Sequence, residues 1–169
     1  MEKIKDINND IAMPESPKSR LDRIFFNLFP AFWSTGAKVT YLAADYKEVH
    51  LKLPLTWRTR NYVGTIFGGS MFASTDALYF LLVLKNIGND YIVWDKASSI
   101  RFKKPGKGTL HGKAIISHEE IETIKKELQY TDKIDRVYFL DLIDETGDIC
   151  ASIEKTIHIR NKKMIDNGI

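Results

Sequence analysis

Cysteine is almost absent from this chain: Cys150 stands alone among 169 residues, which excludes an intrachain disulfide and fits a reducing compartment. A strong charge of one sign is missing too. The net charge of +3 is too small for a general nucleic-acid binder, whose bases would dominate one face. No long hydrophobic run occurs. The longest uninterrupted one, residues 77–84, falls far short of the roughly 20 residues that span a bilayer. Residues 1–17 are polar and charged without an apolar core, so they do not form a secretory signal. These absences lead to the expectation of a cytoplasmic protein with no membrane span and no nucleic-acid partner.

What is present is enough for one core. With 44% hydrophobic and 28% charged residues, the chain reads as a flexible leader (1–18), a single domain (19–160) and a short tail (161–169). In the first helical segment, Leu21, Ile24, Phe25, Leu28 and Phe32 recur at helical spacing while Arg20, Asp22, Arg23 and Asn27 face elsewhere. The segment bends near Pro30. Its aromatic face could lie on a membrane, but it carries little lysine and arginine, so packing on the domain's own sheet is expected.

Residues 38–45 and 46–53 read as a strand pair, with Val49, Leu51 and Leu53 inward and Glu48, His50 and Lys52 outward. A loop over 55–67 leads into a long apolar helix that ends at Gly88-Asn89-Asp90. Residues 91–103 and 109–116 read as strands joined at Pro105-Gly106, followed by a helix from the capping-box pattern Ser117-His-Glu-Glu120 to about residue 128. The last two strands, 137–143 and 149–159, flank the turn Asp144-Glu-Thr-Gly-Asp148. Ile149, Ala151, Ile153, Ile157 and Ile159 keep the inward alternation of the second. The sum is α+β, a largely antiparallel sheet against one buried helix.

Chemistry gathers at the start of that helix. Gly68 and Gly69 leave its first N–H groups unshielded at the positive end of the helix dipole, where a carbonyl oxygen or an anion can approach. Asp76 falls among Phe72, Ala73, Tyr79 and Phe80, on a helix expected to be buried on most of its circumference. An ionised carboxylate there costs several kcal/mol (roughly 2 to 7 for an unmet polar group, more for a charge), which marks a candidate for chemistry. The bland readings are a tight glycine turn and a satisfied structural acid. Arg101, Lys103, Lys104 and Lys107 cluster beside Pro105-Gly106, either as a solvated strand end or as a seat for phosphates. No two histidines have ligand-like spacing, so no metal site is expected, and Cys150 reads as a buried inert thiol.

The segment Asn61-x-x-Gly64-Thr65-x-Phe67-Gly68-Gly69 followed by Asp76 resembles the pattern Asn-x-x-Gly-x-x-His-Gly-Gly plus helix acid of hotdog-fold acyl-CoA thioesterases, of the PaaI-like and 4-hydroxybenzoyl-CoA types. Phe67 stands where that pattern has histidine. Phe102-x-x-Pro105 with Gly108 resembles the family's inter-strand turn, and the likeness is greatest to an uncharacterised domain-of-unknown-function branch. The resemblance implies a hotdog fold, an antiparallel sheet wrapped around one long central helix, here with an extra N-terminal helix. It implies that the Gly68 amide, with Gly69, polarises a thioester carbonyl and that Asp76 acts as base or nucleophile. Asn61, Thr65, Phe67, Phe72, Tyr79 and Phe80 would contact substrate, and Arg101, Lys103, Lys104 and Lys107 the phosphates of coenzyme A. The expected substrate is an acyl-CoA or another acyl thioester, with coenzyme A entering only as part of it and no other cofactor. The expected assembly is a homodimer or a dimer of dimers. A non-catalytic acyl-CoA or fatty-acid binding protein is the alternative; a hydratase ranks last, lacking a paired histidine and acid near the helix start.

Overall fold

A computed structural model describes residues 13–162. Most of the expected leader and tail lie outside the described residues. Within them the order is α1 (Pro17–Leu28), α2 (Pro30–Ser34), β1 (Lys38–Leu42), β2 (Glu48–Leu53), α3 (Gly68–Ile87), β3 (Tyr91–Phe102), β4 (Leu110–Ile115), α4 (His118–Glu127), β5 (Lys133–Ile143) and β6 (Ile149–Asn161). The strands form one sheet in the order β1-β2-β4-β5-β6-β3, every neighbouring pair antiparallel.

Local chemistry sets the boundaries. Ser16 caps α1 by accepting the Ser19 amide at 3.0 Å, with Pro17 in the first turn where a missing N–H costs nothing. Pro30 splits α1 from α2, as the bend near it required. Gly88, at φ +96, supplies the left-handed step that stops α3. Ser117 caps α4 through the Glu120 amide, but the Glu120 carboxylate turns to the Tyr138 hydroxyl and Arg136, so only half of the capping box forms.

The sheet curves over α3. Leu78, Leu82 and Val83 of the helix are fully buried with Val49, Leu51, Leu142, Ile153 and Ile157 of the strands. Each such side chain contributes about 1.5 to 3 kcal/mol on burial. On β6 the row Ala151, Ile153, Ile157 and Ile159 is buried, and Cys150 beside it is buried as well, its thiol pushed up by that burial.

Three expectations are corrected. The face of β2 read as outward is covered at two of its three positions: Glu48 and His50 are buried, 2.6 Å apart, with Lys113 2.9 Å from Glu48 and the Tyr41 ring on His50. Burial pushes the His50 pKa down, against the pull of Glu48.

The second correction concerns α1. Its apolar row does not pack on the sheet; Leu21, Ile24, Phe25 and Leu28 are exposed, and only Phe26 and Phe32 reach the core. The polar side faces the domain instead. Asn27 donates to the Val39 carbonyl at 2.8 Å and accepts the Val39 amide at 2.7 Å, while Asp22 meets the Tyr46 hydroxyl at 2.8 Å and Lys85 at 2.7 Å. Glu15, just before the helix, binds Arg23 at 2.6 Å and takes the Leu42 amide at 3.0 Å.

The third concerns α3, which is not buried all round. An outward stripe of Gly69, Ala73, Asp76 and Leu84 is exposed, flanked by half-covered Phe72 and Phe80. No helix among the described residues is long and apolar enough to cross a membrane.

Candidate active site

Residues 60–66 form a small two-stranded turn that delivers the chain to α3, closed by the bridge between Arg60 and Ile66. Asn61 builds it. Its side-chain oxygen accepts the amides of Val63 at 3.1 Å and Thr65 at 3.0 Å, and its nitrogen donates to the Thr65 hydroxyl at 2.8 Å. The Asn61 amide is therefore occupied in shaping the loop. Phe67 then anchors the helix start by donating its N–H to the Thr59 carbonyl at 2.7 Å.

Among the described residues no side chain caps the first amides of α3. A cavity of about 390 Å³ opens beside them, lined by Asn61, Thr65, Gly68, Phe102, Lys103 and Lys104 among others. An added Cβ at either glycine would press on an aromatic ring. A Cβ on Gly68 would lie 2.8 Å from the Phe102 ring, and one on Gly69 would lie 2.3 Å from the Phe67 ring. The two rings are each 56% exposed and flank the open amides.

Asp76 lies elsewhere, in an apolar groove of about 670 Å³ between α1–α2 and α3, with Phe29, Phe32, Phe72 and Phe80 among its walls. Its side chain is 59% exposed, not enclosed by its apolar neighbours as the helix pattern suggested. Lys155 Nζ meets its Oδ1 at 2.7 Å, and the same ammonium lies 3.0 Å from Asp95 Oδ1. Lys155 is 1% exposed, an ammonium inside the domain shared by two carboxylates.

The backbone explains how these three meet. Lys155 occupies an inward position of β6 between Ile153 and Ile157, opposite Tyr138 of β5 and Ser98 of β3. Asp95 pairs with Ile157 and Ala97 with Thr156, so one extra residue, Lys96, bulges out of β3. The bulge switches the inward row from Val93 and Asp95 to Ser98 and Ile100, which aims the Asp95 carboxylate into the domain.

Burial raises the Asp95 pKa, opposed by Lys155 and reinforced by Asp76. A carboxylate whose folded pKa lies above its unfolded one binds more protons when folded, so its contribution to stability is lost as pH rises through the interval between the two. Relative to Asp95→Asn, the wild-type chain is thus expected to lose stability as pH rises from about 4. Urea unfolding of both proteins across that interval checks it; a difference that stays flat or widens in favour of wild type would contradict the assignment.

The sequence-derived residues thus fall into two groups. Asn61, Thr65, Gly68, Lys103 and Lys104 share the cavity at the helix start, whereas Asp76, Phe72 and Phe80 share the groove. Phe67 and Gly69 touch each other beside the first. Tyr79 belongs to neither: it is buried on another face of α3, donates to the Phe139 carbonyl at 2.8 Å and stacks on Tyr138. Lys104 already meets Asp144 at 3.1 Å and Asp148 more closely still, while Arg101, Lys103 and Lys107 are exposed and have no ion-pair partner among the described residues. Lys155 and Asp95 were missed. The signal for Lys155 was a lysine filling the empty inward rung between Ile153 and Ile157. Among the described residues, no group of three or more histidine, cysteine, aspartate or glutamate side chains is placed to hold a metal ion.

No curated protein matches the sequence. Solved structures do. A Pseudomonas aeruginosa protein of unknown function, described as a probable thioesterase, aligns over 88% of this chain and 98% of its own at 24% identity and a TM-score of 0.76. The Haemophilus influenzae thioesterase HI1161 aligns over 89% and 95% at 12% identity and 0.65, and a Chlorobaculum tepidum protein of unknown function over 85% and 94% at 13% and 0.68. These likenesses establish the fold, which is the hotdog arrangement of a sheet around one long helix. A family model matches residues 18–159, and the chain belongs to that family, the domain of unknown function DUF4442.

Proposed function

We propose that this protein hydrolyses an acyl thioester, an acyl-CoA in the first instance, and that it does so as a homodimer. The observation that carries the reading is Asp76: a carboxylate fixed by a buried ammonium at 2.7 Å, opening into an apolar groove large enough for an acyl chain. The thioester carbonyl would sit at the open amides of Gly68 and Gly69, which stabilise the oxyanion. Asp76 takes a proton from the attacking water. The tetrahedral intermediate then expels the coenzyme A thiolate, which leaves as the thiol once protonated, and a free carboxylic acid remains. Lys155 touches neither reacting atom; it balances and orients Asp76.

Gly68 and Asp76 stand eight positions apart on one helix, roughly 12 Å along its axis, too far to serve one carbonyl and its water. They also open into different cavities. A second α3 running antiparallel would bring Asp76 of one copy to Gly68 of the other. The same contact would cover the exposed stripe around Asp76.

Coenzyme A phosphates would be met by Arg101, Lys103 and Lys107, which have no ion-pair partner among the described residues, more than by Lys104. Affinity for coenzyme A is expected to fall with salt, and Lys103→Ala/Lys107→Ala is expected to weaken it by about 1 kcal/mol for each charge-assisted hydrogen bond removed. Titration calorimetry measures both; unchanged affinity in the double variant would return these residues to the solvated surface.

A second reading has its own support. The Phe67 and Phe102 rings flank the amides that must receive the carbonyl, and Phe67 replaces the histidine of the resembling pattern. A protein that binds acyl chains without cleaving them would tolerate both. Free-thiol release across a series of acyl-CoA lengths separates the readings: turnover supports hydrolysis, and tight binding without turnover at any length supports the binding protein.

A further inference from the structure

We propose that the outward face of α1 and α2 docks on an anionic lipid bilayer. Leu21, Ile24, Phe25, Leu28, Phe29 and Trp33 are 44 to 66% exposed and follow one another along this single face. Their side chains cannot roll inward. Asn27 on Val39, Asp22 on Tyr46 and Lys85, and Arg23 on Glu15 hold the polar side of α1 against the domain. An apolar face held outward by the helix's own polar bonds is one that something else must cover.

Charge decides what covers it. Lys38 and Arg58 line the same hollow as Ile24, Leu28 and Trp33, and Arg20 borders Leu21 and Ile24. Arg58 lies 3.9 Å over the Trp33 ring and donates to the Trp33 carbonyl at 2.7 Å. Lys18 is exposed one turn before Leu21. The two carboxylates nearby are already engaged, Glu15 by Arg23 and the Leu42 amide and Asp22 by Lys85 and Tyr46; Arg20 reaches Glu15 only at 3.7 Å. Among the described residues, Lys18, Arg20, Lys38 and Arg58 are left in excess.

A second copy is a poor occupant, because a two-fold contact would join this face to itself and gather the excess cations of both copies into one interface. A bilayer with anionic headgroups answers both features: apolar rings enter the acyl boundary while the bases meet lipid phosphates. α1 alone carries too few bases for this. Lys38 of β1 and Arg58 of the following loop, brought alongside by the fold, supply the rest. Phe29 and Phe32 also wall the groove that holds Asp76, so the docked face adjoins the entrance to that groove. Only that use of the docking, the passage of acyl chains into the groove, rests on the thioesterase reading.

The test reads docking without turnover. The full chain is sedimented with vesicles of phosphatidylcholine alone and of phosphatidylcholine mixed with phosphatidylglycerol. It is expected to partition onto the mixed vesicles at least about tenfold more strongly, and to be released by salt. Arg20→Ala/Lys38→Ala/Arg58→Ala is expected to weaken partitioning about a hundredfold, at about fivefold per base. Phe25→Ser/Leu28→Ser is expected to abolish it with circular dichroism and sedimenting mass unchanged. Failure to bind the mixed vesicles, equal binding to both kinds, or indifference to either variant would overturn the proposal. So would a fall in mass of the Phe25→Ser/Leu28→Ser protein without lipid, which would assign the face to a second copy.

Discussion

Asp76→Asn and Gly68→Val are each expected to be nearly inactive as homodimers, and dimers holding one of each are expected to turn over again. Asp76→Asn removes the proton acceptor, worth about 10²-fold or more. Gly68→Val places methyl groups where the Phe102 ring already touches an added Cβ at 2.8 Å, so ring and side chain together close off the amides, with a loss of about 10²-fold. In a mixed dimer one site combines an intact Gly68 with an intact Asp76 from the other copy, and the second site carries both lesions. Random reassortment makes about half of the dimers mixed, so the activity of the pool should return to roughly a quarter of wild type and that of the isolated mixed dimer to roughly half. Two affinity tags, isolation of the mixed dimer and a thiol-release assay read this directly. Mixed dimers as inactive as their parents would rule out the shared site, and a fully active Asp76→Asn homodimer would remove Asp76 from the reaction.

Replacing Lys155 should lower stability markedly. Lys155→Met fits the apolar row of β6 but withdraws the only ammonium within ion-pair distance of Asp95 among the described residues, and leaves that half-buried carboxylate facing inward unmet. Breaking a buried pair from one side costs about 3 kcal/mol or more, equivalent here to roughly 10 °C in Tm. The loss should shrink as pH falls, because Asp95, already raised by burial, then takes up a proton. Lys155→Met/Asp95→Asn should recover most of it. Urea unfolding of wild type, Lys155→Met, Asp95→Asn and the double variant forms a complete cycle, and a Lys155→Met protein as stable as wild type would mean that the ammonium contributes nothing to the fold. In the double variant Asp76 still lacks its anchor, so thioester turnover should remain low although stability has returned.

Element order and most strand positions were legible because they depend on local pattern. The alternation of β6, the Ser117 cap and the Gly88 stop each rest on a few neighbouring residues. The errors share one physical origin. Periodicity tells that α1 has an apolar side, but whether that side faces in depends on partners far along the chain: Val39, Tyr46 and Lys85 claimed the polar side first. The apolar helical neighbours of Asp76 predict enclosure, whereas its actual companions come from β3 and β6. The bulge at Lys96 that turns Asp95 inward leaves no mark in the hydrophobic pattern, since Asp95 looks like any outward strand residue until the register shifts. The glycines fared better. Their need for open space is intrinsic, although the rings that press on them, Phe67 and Phe102, emerged only with the fold.

The Asn27 amide against Val39, together with the Glu15 carboxylate on the Leu42 amide, has a consequence for how far copies of this chain can polymerise. An unpaired strand is a reactive end, ready to add another chain through its backbone. Here β1 is stoppered by side chains, whereas β3, twelve residues long at the opposite end of the sheet, has no strand beyond it among the described residues. The sheet therefore has a valence of one. Joining two copies through β3 would consume both open ends and leave two plugged ones, so strand-by-strand growth of the sheet would stop at the pair. Only loss of both the Asn27 amide and the Glu15 carboxylate, as in Asn27→Ala/Glu15→Ala, would unplug the other end and convert a terminator into a chain extender.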